Sequence, residues 1–236
     1  MNRFSYQLPI LGYHRVGAPS RDHVPTVSAG AFERQLRCLA RFGYRVLSLE
    51  EIADRLDRGE PLPRRSAAIT LDDGYEGTAT IAWPLLKRFT MPATVFVTPS
   101  EVGRAGFMTW EQVAQVSREG MTIGSHTMHH SYVPLIPRER LSEELVSSKH
   151  LLEERLNRPI DFLSYPVGGF TPEAQAMIRQ AGYRAACTTN RAASTRGIDL
   201  FALRRVKVTE MDRHPWLFLA KLSGYYDMFR KLKLPS

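Results

Sequence analysis

Short apolar runs rich in β-branched residues recur along the whole chain, at 8–16, 44–49, 67–71, 93–98, 121–125, 160–165, 183–189 and 203–208. Most neighbouring runs are separated by a stretch of helical periodicity. Phe32, Leu36 and Leu39 share one helix face, as do Leu141, Leu145, Leu152 and Leu156. Helix-start signals agree with this reading: Ser48-Leu49-Glu50-Glu51 and Thr109-Trp110-Glu111-Gln112 have the form of capping boxes, and Thr171-Pro172 puts proline at a first helical position. A helix between two strands returns the chain to the end it started from, so the strands run parallel with helices outside. With this many units, the expected fold is α/β: a single-domain, distorted (β/α)7–8 barrel with its core over 8–208. Such barrels build their chemistry at the C-terminal ends of the strands.

Composition is compatible with that architecture. A chain of 236 residues, 43% hydrophobic and 24% charged, buries enough apolar surface to fold without staples. Its two cysteines, Cys38 and Cys187, form neither a disulfide framework nor a paired ligand motif, and read as small core residues. Residues 1–7 carry no apolar run of signal-peptide type, and no stretch approaches the ~18–20 apolar residues of a spanning helix. The expectation is a cytoplasmic protein with reduced thiols. The net charge of +8 is spread along the chain without an aromatic-interleaved binding motif, so no nucleic-acid partner is expected. Lysine and arginine are densest at 214–234, mixed with aromatic and aliphatic residues. That pattern suits an amphipathic helix making peripheral contact with the inner face of a membrane, and equally a terminal helix packed on the barrel.

Three segments at strand ends carry the chemistry. Asp72-Asp73-Gly74-Tyr75 follows the run at 67–71; neighbouring side chains diverge there, so one carboxylate can bind a metal while the other faces a substrate. Ser125-His126-Thr127-Met128-His129-His130 follows the run at 121–125. His126 and His130 are four apart, which one helical turn brings to one side. Two histidines and a carboxylate are the usual ligands of a catalytic divalent ion, Zn2+ above all. Ser164-Tyr165-Pro166-Val167-Gly168 can shape a rigid wall beside a pocket. Taken singly, each segment is also readable as a surface turn or a structural cluster. Their coincidence at the ends of three strands favours a metal site.

From about residue 8 to 208 the chain resembles the polysaccharide deacetylases of carbohydrate esterase family 4, the NodB-homology domain, through Thr70-Leu71-Asp72-Asp73-Gly74 and His126-Thr127-Met128-His129-His130. The segments 92–97 and 123–127 resemble the same family. The resemblance implies a hydrolase removing N-acetyl or similar N-acyl groups from an amino sugar that is free, polymeric or lipid-linked. It implies Asp72 as general base, Asp73, His126 and His130 as ligands of a divalent metal, usually zinc, and Tyr165, Pro166 and Gly168 as part of the substrate groove. Tyr75 is a further substrate-side candidate, and the backbone near Gly74 and Tyr75 a candidate donor to the oxyanion.

Two departures stand out. Where the family commonly has an arginine that orients the base, this chain has Ser164, so Arg204 or Arg205 must serve. No histidine follows the last strand in the family's manner. His14, closing the first apolar run, resembles a branch in which that strand has moved to the N-terminus, and is the expected general acid; His214 is the competitor. The alternative is a carbohydrate-binding relative of the same fold with impaired catalysis.

Overall fold

The structure, a computed structural model, describes residues 8–19, 23–189 and 199–223. Seven parallel strands close a ring: β1 (Ile10–Tyr13), β5 (Ser66–Leu71), β6 (Thr94–Val97), β7 (Thr122–Ser125), β8 (Phe162–Ser164), β9 (Ala185–Thr188) and β10 (Leu203–Lys207), with β10 pairing back onto β1. The first strand thus sits between the last strand and β5. A short pair, β2 (Arg15–Val16) and β3 (Thr26–Val27), stands apart from the ring.

The run at 44–49 yields only β4 (Arg45–Val46), which pairs with Ser66 and Ala67 of β5. From Ala68 onward that edge of β5 belongs to β1, so β4 is excluded from the ring. Around the strands lie α1 (Ala29–Arg41), α2 (Leu49–Asp57), α3 (Trp83–Arg88), α4 (Trp110–Arg118), α5 (Arg138–Leu156), α6 (Pro172–Gln180) and α7 (Pro215–Leu222). Thr109 and Gln112 complete a capping box at α4. At α2 only half of the expected box forms: Ser48 accepts from Glu51 N, but the Glu51 carboxylate is taken by Arg45 and Arg55.

Alternation along each strand decides what the barrel holds. At the floor, Ile10, Ala68, Phe96, Phe162, Ala185, Cys187 and Leu203 form a buried apolar cluster. Gly124 is required there, because a Cβ would lie 2.5 Å from the Phe96 ring. Moving up by twos along the same strands reaches His14, Asp72, Thr98, His126, Ser164, Thr189, Arg205 and Lys207. The interior therefore turns from apolar to polar at its C-terminal mouth. A second, larger core fills the space between strands and helices.

The described part of the tail packs on the barrel. Phe218 and Leu222 of α7 are buried, and buried Lys221 donates to Asp212 Oδ2 and to Lys207 O, each at 2.6 Å. Trp216 and Leu217 are exposed. The expected helix over 214–234 otherwise lies outside the described residues. Among the described residues no helix is long and apolar enough to cross a membrane.

Candidate active site

At the mouth of the barrel a cavity of about 630 Å³ is lined by His14, Asp72, Asp73, Tyr75, Phe107, His126, His130, Tyr165, Val167, Gly168 and Arg205, among others. Asp73 Oδ1 lies 3.4 Å from His126 Nε2 and 3.3 Å from His130 Nε2. The three ligand atoms are all within 4.8 Å of one another. His126 Nδ1 is 2.7 Å from the Ser164 carbonyl, which can only accept; the proton is therefore on Nδ1, and the Nε2 lone pair faces Asp73 and His130.

The two histidines do not share a helical turn as their spacing suggested. They lie in a loop in which Thr127 (φ 61°) and His130 (φ 57°) are left-handed, and Asp73 (φ 72°) is left-handed too. Such conformations cost of order 1–3 kcal/mol each and cluster at functional sites. The donor set fits a divalent cation. Two imidazoles and one carboxylate with an open side are the ligands zinc prefers. Buried Asp73 Oδ1 makes no hydrogen bond, a desolvation cost that a cation would offset.

Asp72, the neighbour of Asp73, points the other way and is buried. Arg205 of β10 grips it with both guanidinium nitrogens, Nη1 to Oδ1 at 2.6 Å and Nη2 to Oδ2 at 2.7 Å, and also donates to Thr70 Oγ1 and Ser164 Oγ. Burial alone would raise the Asp72 pKa, but Arg205, His126 and His14 together hold it well below the usual carboxylate range. Strand parity turns Arg205 inward and Arg204 away; Arg204 does not line the cavity. Of the two arginines left open by the sequence, the partner of Asp72 is Arg205. Ser164 is a partner in that arrangement as well as a departure, supplying a hydroxyl to Arg205 and a carbonyl to His126.

His14 Nε2 lies 3.9 Å from Asp72 Oδ2, with Nδ1 buried and unbonded. Burial lowers its pKa, opposed by the two aspartates, which favours the neutral ring at pH 7. His214 is exposed at the N-cap of α7 and does not line the cavity.

Tyr75 lines the cavity between Arg15, 4.4 Å from its ring centre, and the stacked ring of Phe107 at 4.8 Å. Tyr165 is a wall rather than a donor, because its hydroxyl is spent on Phe201 O at 2.9 Å. Pro166, expected in the groove, is buried and does not line the cavity. Gly168 (φ 82°) seats against Thr189, whose Oγ1 a Cβ would meet at 2.1 Å. Val167, in the segment expected to form a wall, lines the cavity, and so do Phe107 and Lys207, which no signal in the sequence singled out.

Residues 59–186 match the family model for polysaccharide deacetylases. The polysaccharide deacetylase family protein YxkH of Bacillus subtilis (strain 168) is 30% identical over 203 residues, covering 86% of this chain and 72% of that one. A solved structure of the Streptococcus pyogenes deacetylase PplD in complex with acetate superposes with a TM-score of 0.83 at 26% identity, covering 92% of this chain and 98% of that one. The poly-beta-1,6-N-acetyl-D-glucosamine N-deacetylase of Escherichia coli (strain K12) is 30% identical over 139 residues, which cover 52% of this chain but only 21% of that longer protein. This chain belongs to the polysaccharide deacetylase family, hydrolases of amide carbon–nitrogen bonds.

Proposed function

We propose that the chain removes N-acetyl groups, or a similarly small N-acyl group, from amino-sugar residues of a polymeric, oligomeric or lipid-linked glycan. One observation carries this reading: adjacent carboxylates diverge, Asp73 toward two imidazoles and Asp72 toward Arg205 and His14. The acetate bound to the similar PplD and the N-deacetylase named above support it.

Asp73, His126 and His130 are the residues that would hold a divalent cation, Zn2+ in our reading, which lowers the pKa of water and polarises a carbonyl when bound. Asp72 accepts the proton of the attacking water. Because Arg205 keeps its pKa low, Asp72 does not retain that proton. Neutral His14 stands 3.9 Å away, placed to take it and to deliver it to the departing nitrogen. The amides of Gly74 and Tyr75, in the turn after Asp73, are the donors assigned to the oxyanion. Tyr165, Val167 and Gly168 form one wall for the sugar, Tyr75 and Phe107 another.

The test is acetate release from a panel of N-acetylated free, polymeric and lipid-linked amino sugars. At least one should be deacetylated by the wild type and none by Asp73→Ala. Equal release by both proteins would remove the proposal.

A further inference from the structure

Glu144 lies on α5, fifteen residues beyond His129 and outside the reacting cavity, and is 3% exposed. A carboxylate buried that far ordinarily finds a lysine or arginine. This one instead takes three hydrogen bonds from a single loop: His129 N–H at 2.9 Å, His129 Nδ1 at 2.9 Å and the Ser131 hydroxyl at 3.1 Å. Those donors flank His130. At the other end of the loop, Ser125 Oγ is 2.8 Å from Ser148 Oγ, one turn further along α5, and accepts from Thr127 N at 3.2 Å. Helix α5 thus holds the loop on both sides of the segment that carries His126 and His130.

The segment needs holding. Thr127 is β-branched and left-handed, and His130 is left-handed as well, so the loop left to itself would relax toward ordinary backbone angles. Relaxation would part His126 Nε2 and His130 Nε2, which now converge on Asp73 Oδ1. We propose that Glu144 is a positioning residue: from α5 it clamps the 126–131 loop in its strained form and so sets the spacing of the two imidazoles for a divalent cation. His129 is the handle by which Glu144 grips the loop. The inference rests on the proposed role of Asp73, His126 and His130 as cation ligands.

The experiment measures the Zn2+ dissociation constant, by competition with a chromophoric chelator, for wild type, Glu144→Gln, Glu144→Ala and Leu152→Ala, with melting temperatures of the metal-free proteins. Leu152 is a buried core residue of the same helix, about two turns beyond Glu144. Second-sphere groups typically contribute 10–100-fold in affinity, so Glu144→Ala should bind Zn2+ at least about 10-fold more weakly and Glu144→Gln, which keeps one acceptor oxygen, by less. Leu152→Ala should melt lower yet keep the wild-type constant. Should Glu144→Ala not fold, a weakened Glu144→Gln alone sustains the clamp. Wild-type affinity in both Glu144 variants, or an equal loss in Leu152→Ala, overturns it. A wild type that binds no Zn2+ is a different failure, that of the ligand assignment itself.

Discussion

Arg205, from the last strand of the ring, reaches across the barrel mouth to hold both oxygens of Asp72, at 2.6 and 2.7 Å. The pair is almost wholly buried, with side-chain exposures of 1% and 3%. It therefore ties the chemistry of Asp72 to the stability of the fold.

Replacing Asp72 should separate two effects. Asp72→Asn should abolish acetate release while leaving Zn2+ content near wild type, because Asp73, His126 and His130 are untouched. It should also leave a buried guanidinium uncompensated, at a cost of about 3–5 kcal/mol, or roughly 6–20 °C in melting temperature for a chain of this size. Calorimetry of the double variant Asp72→Asn/Arg205→Met should recover part of that loss without recovering activity.

Arginine and lysine are not equivalent at this position. Arg205→Lys removes the two-pronged grip and lets the carboxylate swing, so kcat should fall by roughly 10²-fold. Arg204→Ala, on the other side of the strand, should keep kcat within a few-fold. Similar losses in both would show that the inward register of β10 does not matter.

His14→Gln should lower kcat by about 10²–10⁴-fold, the range for a lost proton-transfer group, with Zn2+ affinity unchanged. His214→Ala should be indistinguishable from wild type. A defective His214 variant beside an active His14 variant would reverse the assignment of the acid.

The Asp72–Arg205 pair also makes a stability prediction with a definite sign. The folded-state pKa of Asp72 lies below its unfolded value of about 3.9, so the unfolded chain binds the proton more tightly. The stabilisation is complete above about pH 5 and is lost as pH falls through 4 and below. Urea midpoints measured from pH 7 to pH 3 should decline more steeply for wild type than for Asp72→Asn/Arg205→Met. Parallel curves would mean that the pair does not titrate as its geometry requires.

Much of this is legible in the sequence. The alternation of apolar runs with helical stretches was enough for a parallel barrel, and the placement of Asp72, Asp73, His126 and His130 just after two of those runs located the cavity. Whether the ring held seven strands or eight was not legible, because β4 is excluded by competition for one edge of β5, a contact between distant segments. The choice between Arg204 and Arg205 depended on which of two alternating residues faces inward, and a basic pair on a short strand carries no hydrophobic pattern to settle it. The loop conformation was misread for a local reason. Spacing of four suggested a helical turn, whereas left-handed Thr127 and the clamp from α5 impose a strained one.

The proposed chemistry depends above all on Asp73, His126 and His130 acting through one bound cation. Acetate release by metal-stripped protein during stepwise return of Zn2+ tests that most directly, with a deacetylated substrate from the sugar panel. Activity should be near zero at the start and reach its plateau at one equivalent per chain. Full activity after stripping, or a plateau that Asp73→Ala also reaches, would contradict it.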